Sequence, residues 1–166
     1  MHRQTGFMSC AIALLGAATV VTACATDAPD AVERHEITCF AASDLPAGTT
    51  RVDVSLKEWS IELSSDTMKA GNVGFVATNE GTMVHEMLVV RADDPASLPY
   101  AANGSVNESA IPASDTLGEI AEFAAGTTCA RTFALTPGHY AMFCNIAEGD
   151  SVHLKKGMIT TFTVTA

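Results

Sequence analysis

The segment CNIAEGDSVHLKKGM, from Cys144 to Met158, puts a cysteine, a histidine and a methionine into one polar loop. A thiolate and a thioether are soft donors and an imidazole is a borderline one, so the loop is equipped for a transition metal rather than for calcium or magnesium. An ion held there needs a further ligand from elsewhere in the chain. His85, in the apolar run MVHEMLVV, is the candidate for that place. Thiolate and thioether suit Cu(I), and imidazole suits both copper oxidation states, so the chemistry implied by His85, Cys144, His153 and Met158 is one-electron redox at a copper ion.

The other residues of these types have plainer readings. His139, in the turn TPGHY, reads as surface, and His35 belongs to a polar tether. Met83, Met87 and Met142 read as packing, with Met83 or Met142 the alternative axial donors. The amide of Asn145, directly after Cys144, is suited to hydrogen-bond across the loop. Glu86 is open between a solvated acid and a charge for docking a partner. VHEML begins like a zinc-protease helix, but position 89 is Val, so the second histidine is missing. GDSVH crowds Asp150, Ser151 and His153 into one loop, with no strand–turn–helix elbow around the serine. A multicopper oxidase needs more histidines, and Phe143 and Asn145 flank the cysteine instead. No enzymatic activity is expected.

The elements that must position these donors read as strands. RVDVSLKEWSIEL alternates Val52, Val54 and Leu56 against polar neighbours, then resumes one residue out of phase at Trp59, Ile61 and Leu63. A one-residue slip sends side chains to the opposite face, so a bulge or short break is expected at Lys57–Glu58. VGFVATNEG, MVHEMLVVRA, TTCARTFAL, HYAMFCNI and MITTFTVTA supply further strands, with TPG as a tight turn. Residues 92–127 are rich in Ala, Ser, Asp, Pro and Gly. There a long loop is expected, carrying one short helix over TLGEIAEFA, where Leu117, Ile120 and Phe123 fall at helical spacing. Several short strands between turn signals predict an all-β sandwich, whose end loops can bring distant residues together.

The first residues have a different build. Arg3, the apolar run FMSCAIALLGAATVV and then VTAC form a secretory leader over residues 1–23, too short to span a bilayer comfortably. VTAC resembles a bacterial lipobox, which makes Cys24 the expected lipidation site and residues 24–45 the lipidated N-terminus and tether. Without the leader the chain keeps 19 acidic and 8 basic side chains, a net 8 − 19 = −11. No basic stripe exists to neutralise phosphates, which argues against nucleic acid as a partner. Once Cys10 and Cys24 are set aside, Cys39, Cys129 and Cys144 remain in an oxidising compartment. The simplest assignment pairs Cys39 with Cys129 and leaves Cys144 for other work.

Over residues 46–166 the chain resembles a cupredoxin, of the plastocyanin and azurin superfamily. The resemblance rests on an upstream histidine in a strand, then Cys, His and Met in that order in one loop, then GM entering a terminal strand; PGHYAMFCNI resembles the family's approach to its metal loop. It implies a Greek-key sandwich and a mononuclear blue-copper site, with His85 and His153 binding through Nδ1, Cys144 through sulfur and Met158 axially. It also implies a monomer shuttling single electrons between a redox donor and acceptor in the bacterial cell envelope. The alternative is a periplasmic carrier that delivers copper to another protein. Two features depart from the family pattern: the stretch NIAEGDSV lengthens the loop, and Glu86 follows the upstream histidine where many members have Asn or Ser to tie the ligand loops together.

Overall fold

The computed structural model describes residues 39–166; the expected leader, Cys24, His35 and most of the expected tether lie outside the described residues. The described residues form β1 (Thr50–Lys57), β2 (Ser60–Leu63), β3 (Thr67–Lys69), β4 (Gly71–Asn79), β5 (His85–Arg91), β6 (Thr116–Phe123), β7 (Thr128–Leu135), β8 (Gly138–Phe143), β9 (Ala147–Glu148), β10 (Ser151–Val152) and β11 (Ile159–Thr165). One sheet runs β2-β1-β4-β7 and the other β3-β11-β8-β5-β6, while β9 and β10 make a separate ribbon. Pairing is mixed: β1 lies parallel to β4 and β3 parallel to β11. The remaining ladders are antiparallel.

Alternation builds the core. Val52, Val54 and Leu56 of β1, Phe75 of β4 and Phe133 of β7 point inward, to meet Met87 and Val89 of β5, Tyr140 and Met142 of β8 and Phe162 of β11. Phe75 packs edge-on against Phe162 across the two sheets, with ring centres 5.4 Å apart. β5 and β8 do not alternate with polar residues, because their outer faces are covered as well. Leu88, Val90, Ala141 and Phe143 pack there against Leu98, Val106 and Ile111 of the long connection and against Val152 and Leu154 of the metal loop. Burial of each such side chain contributes roughly 1.5–3 kcal/mol, so the connection is a second small core rather than a loose loop.

Three local expectations change. The segment TLGEIAEFA is not a helix: Thr116–Phe123 is β6, an edge strand paired with β5. His85 opposes Phe123 and Met87 opposes Ile120, so two residues of β6, Ala121 and Glu122, stand opposite one of β5, Glu86. That bulge puts Ile120 and Phe123 on one face of a strand and imitates helical spacing. Gly118, with φ +122°, also disfavours a helix here. The expected slip at Lys57–Glu58 is a full chain reversal: Lys57 pairs with Ser60, and Glu58 and Trp59 form the turn of a β1–β2 hairpin. Finally, residues 39–45, expected to be tether, are docked on the first sheet. Phe40 bridges Ala130, and Cys39 is disulfide-bonded to Cys129. Leu45 lies so close over β4 that a Cβ on Gly74 would meet it at 2.8 Å.

Candidate metal centre

The donors sit where strands end. His85 opens β5, Cys144 follows the last residue of β8, and Met158 precedes β11; the ladders β5–β8 and β8–β11 bring those ends to the same edge of the sheet. The metal loop is stapled to itself. The N–H of Cys144 donates to the Met158 carbonyl at 3.1 Å, and the N–H groups of Lys156 and Met158 both donate to the His153 carbonyl at 3.1 Å. Gly157 takes φ +122° to close this turn, and a side chain there would strike the Trp59 carbonyl. The extra residues of NIAEGDSV fold into the β9–β10 ribbon, and His153 is held at its foot by an N–H bond to the Ile146 carbonyl at 3.0 Å. The added length is thus absorbed without moving the histidine away from the cysteine.

Three donor atoms converge. His153 Nδ1 lies 3.3 Å from Cys144 Sγ, His85 Nδ1 lies 4.0 Å from it, and the two Nδ1 atoms are 3.2 Å apart. The centre of a triangle with these sides is about 2 Å from each corner, close to metal–nitrogen and metal–sulfur bond lengths. His85, Cys144, His153 and Met158 are all buried to 1% exposure or less. Met158 is tied to Cys144 and His153 through its backbone, as above. Met87 and Met142 are core side chains on the inner face of the second sheet, and His139 is exposed against Thr163.

The electrostatics favour a cation. Burial pushes the Cys144 thiol up to about 11 and pulls both imidazoles below their ordinary range, so the bare site holds a neutral thiol and neutral rings. Nε2 of His85 and Nε2 of His153 are buried without a hydrogen bond. Each such group costs about 1–3 kcal/mol when left unpaired. A positive ion beside the sulfur reverses the thiol's preference, and binding restricted to the folded state offsets the cost. The residues present therefore fit one copper ion, held by His85, Cys144 and His153, with Met158 buried next to Cys144 and His153 in the same loop.

No protein-family model matches the sequence, and no curated protein matches it. Solved structures do match the fold. A sodium-dithionite-reduced auracyanin from the photosynthetic bacterium Roseiflexus castenholzii superposes with a TM-score of 0.52 at 16% identity, covering 71% of this chain and 98% of that one. Auracyanin B gives 0.54 at 24% identity, covering 74% and 92%. The chain has the cupredoxin fold.

Around this centre the structure adds residues whose roles the sequence left open or concealed. Glu86 is not a free solvated acid: its Oε1 accepts the N–H of Asn145 at 2.8 Å and ties the β5 end to the cysteine loop. Burial, with Glu119, Glu108 and Glu122 nearby, raises its carboxyl to about 7, against the lowering effect of that hydrogen bond. Asn145 reaches the long connection, where its Oδ1 accepts the Val106 N–H at 2.7 Å and its Nδ2 donates to the Val106 carbonyl at 2.9 Å and to Glu108 at 2.6 Å. Buried Asn79 donates to the Met83 and Phe123 carbonyls and accepts from Gly81, shaping the chain just ahead of His85. Glu58 takes the N–H groups of Met83 and Thr82, at 2.7 and 2.8 Å, and these hold its carboxyl at about 2. Trp59 stands edge-on to the His153 ring, with centres 5.0 Å apart, and carries the Lys156 ammonium 3.9 Å above its face.

Proposed function

We propose that this chain is an electron carrier, holding one copper ion in a type 1 (blue) site and passing single electrons between redox proteins of the bacterial cell envelope. The observation that carries the reading is the buried convergence of one thiol and two imidazole Nδ1 atoms beside Met158. Copper bound there supplies a one-electron couple, and the protein supplies a rigid, dry frame in which the donors need little rearrangement between oxidation states. His85 and His153 would hold the ion through Nδ1 and Cys144 through sulfur, with the Met158 thioether as a weak further donor. Burial of every donor also speaks against a copper-delivery role, since a delivered ion must be handed to a partner's ligands. The proposed address is an exported lipoprotein: VTAC, ending in Cys24, supports an anchor there, and the mass of the mature N-terminus tests it.

The test of the function is an absorption spectrum of the copper-loaded chain, followed by repeated reduction and reoxidation. We expect a strong visible thiolate-to-copper band and cycling without loss of copper. Cys144→Ser should abolish the band. A serine variant that kept the colour, or a wild-type chain that released copper at each cycle, would refute the reading.

A further inference from the structure

The β1–β2 turn belongs to the sheet that provides no donor, yet it touches both ligand histidines. Its Trp59 packs on His153, as described, and its Glu58 reaches His85. Glu58 Oε1 lies 3.3 Å from His85 Nε2, the ring nitrogen facing away from Cys144. The contact lacks the alignment of a hydrogen bond, and no other polar group serves that nitrogen. The same oxygen is gripped by two backbone N–H groups of the segment leading into His85, so the carboxylate cannot swing away.

We propose that Glu58 is a positioning residue that sets the Cu(II)/Cu(I) balance of the centre through His85. The inference rests on the copper reading above. With Nδ1 turned to the metal, the proton of the neutral ring sits on Nε2, where it faces a fixed negative charge. A negative charge 3.3 Å from the remote nitrogen favours the tautomer that carries its proton there and raises the basicity of the ring. Glu58 is only 21% exposed, so its charge is less screened than that of a surface acid. Negative charge close to a metal stabilises the more positive oxidation state, so Glu58 favours Cu(II). The competing account gives Glu58 a purely mechanical role, in which its only work is to hold Thr82 and Met83.

Two variants separate the accounts. Glu58→Gln keeps an oxygen for both N–H groups and removes the charge, whereas Glu58→Ala removes both. The measurements are voltammetry of the copper-loaded chains, Cu(II) and Cu(I) affinities by chelator competition, and hydrogen exchange at the Thr82 and Met83 amides of the copper-free chains. For Glu58→Gln we expect retained amide protection and a shift of about tenfold or more toward Cu(I), equivalent to about 59 mV for a one-electron couple. The change should fall mainly on Cu(II) affinity. A Glu58→Gln potential within twofold of wild type, or a shift seen only in Glu58→Ala together with lost protection, overturns the inference. A blue, cycling wild type with an unmoved Glu58→Gln variant defeats this inference alone. A wild type that neither binds copper nor cycles defeats the copper reading and this inference with it.

Discussion

The side chains flanking Cys144 bond to backbone groups, whereas those flanking the histidines also reach the ligand rings. Beside the cysteine, Glu86 and Asn145 form a chain of hydrogen bonds from the β5 end through the Asn145 N–H to both backbone groups of Val106. None of these hydrogen bonds involves an imidazole. Beside the histidines, Glu58 meets one ring and Trp59 the other. The difference separates two tasks. The first flank fixes where the sulfur-bearing loop lies, and the second sets the surroundings of the ring nitrogens. Changes on the first flank should register chiefly as stability, and changes on the second as the chemistry of the histidines.

The largest stability effect is expected at Asn145. Its amide satisfies the N–H and the carbonyl of Val106, which is buried at 4% exposure and belongs to the second apolar cluster. Asn145→Ala leaves both groups unpaired, at about 1–3 kcal/mol each. It also frees the connection that covers Leu88, Val90 and Phe143. Denaturant melts of the copper-free chain should show a loss of about 2–4 kcal/mol. A loss below about 1 kcal/mol would mean that the connection is held by apolar packing alone, and the contrast between the flanks would weaken.

Trp59→Ala comes next and should act on protonation. Burial is the main reason that the His153 ring titrates below its ordinary range, and Trp59 provides part of that cover. Proton resonances of His153 in the copper-free variant should therefore titrate at higher pH than in wild type. The linked stability has a definite sign. A histidine whose folded pKa is depressed refuses a proton that the unfolded chain accepts, so the copper-free protein loses stability as pH falls through the unfolded value of about 6.5. Trp59→Ala should make that loss shallower. An unchanged His153 titration would show that other neighbours keep the ring dry.

What could be read in the sequence follows from which signals are local. Donor chemistry is local: Cys144, His153 and Met158 fall within one loop, and the structure gathers the first two with His85 because β5 and β8 are neighbours. Strand signals are local too, as alternation in β1 or as short apolar runs in β5 and β8, so β1, β4, β5, β7, β8 and β11 are legible as strands. β6 was not, because its bulge restores a three-residue spacing that a pattern argument assigns to a helix. Glu58 and Trp59 were hidden for a related reason. A phase slip identifies a break but does not say whether the chain bends or reverses, and only the reversal points these residues at the histidines. Glu86 shows the remaining limit: its partner is the N–H of Asn145, far away in sequence.

The smallest expected effect sharpens the contrast between two glutamates that each stand near a ligand. Glu58 faces a ring nitrogen and is fully ionised near neutrality, held at about 2 by two backbone donors. Glu86 faces a backbone N–H and titrates at about 7, so a neutral solution leaves much of it uncharged. Glutamine keeps an acceptor oxygen for the Asn145 N–H, so Glu86→Gln should leave stability within about 0.5 kcal/mol of wild type, as for substitutions that preserve their contacts. Removing a part-time charge that touches no imidazole should raise the potential less than Glu58→Gln does. The two effects should also differ in their response to pH. Between about pH 6 and pH 8 the Glu58→Gln shift should stay constant, because that carboxylate is ionised throughout. The Glu86→Gln shift should grow, because the wild-type residue gains its charge over that range. Voltammetry of both variants across the range makes the comparison. If Glu86→Gln moved the potential as far as Glu58→Gln and equally at every pH, charge would act on the copper without regard to which atom it meets, and the two flanks would not divide the work.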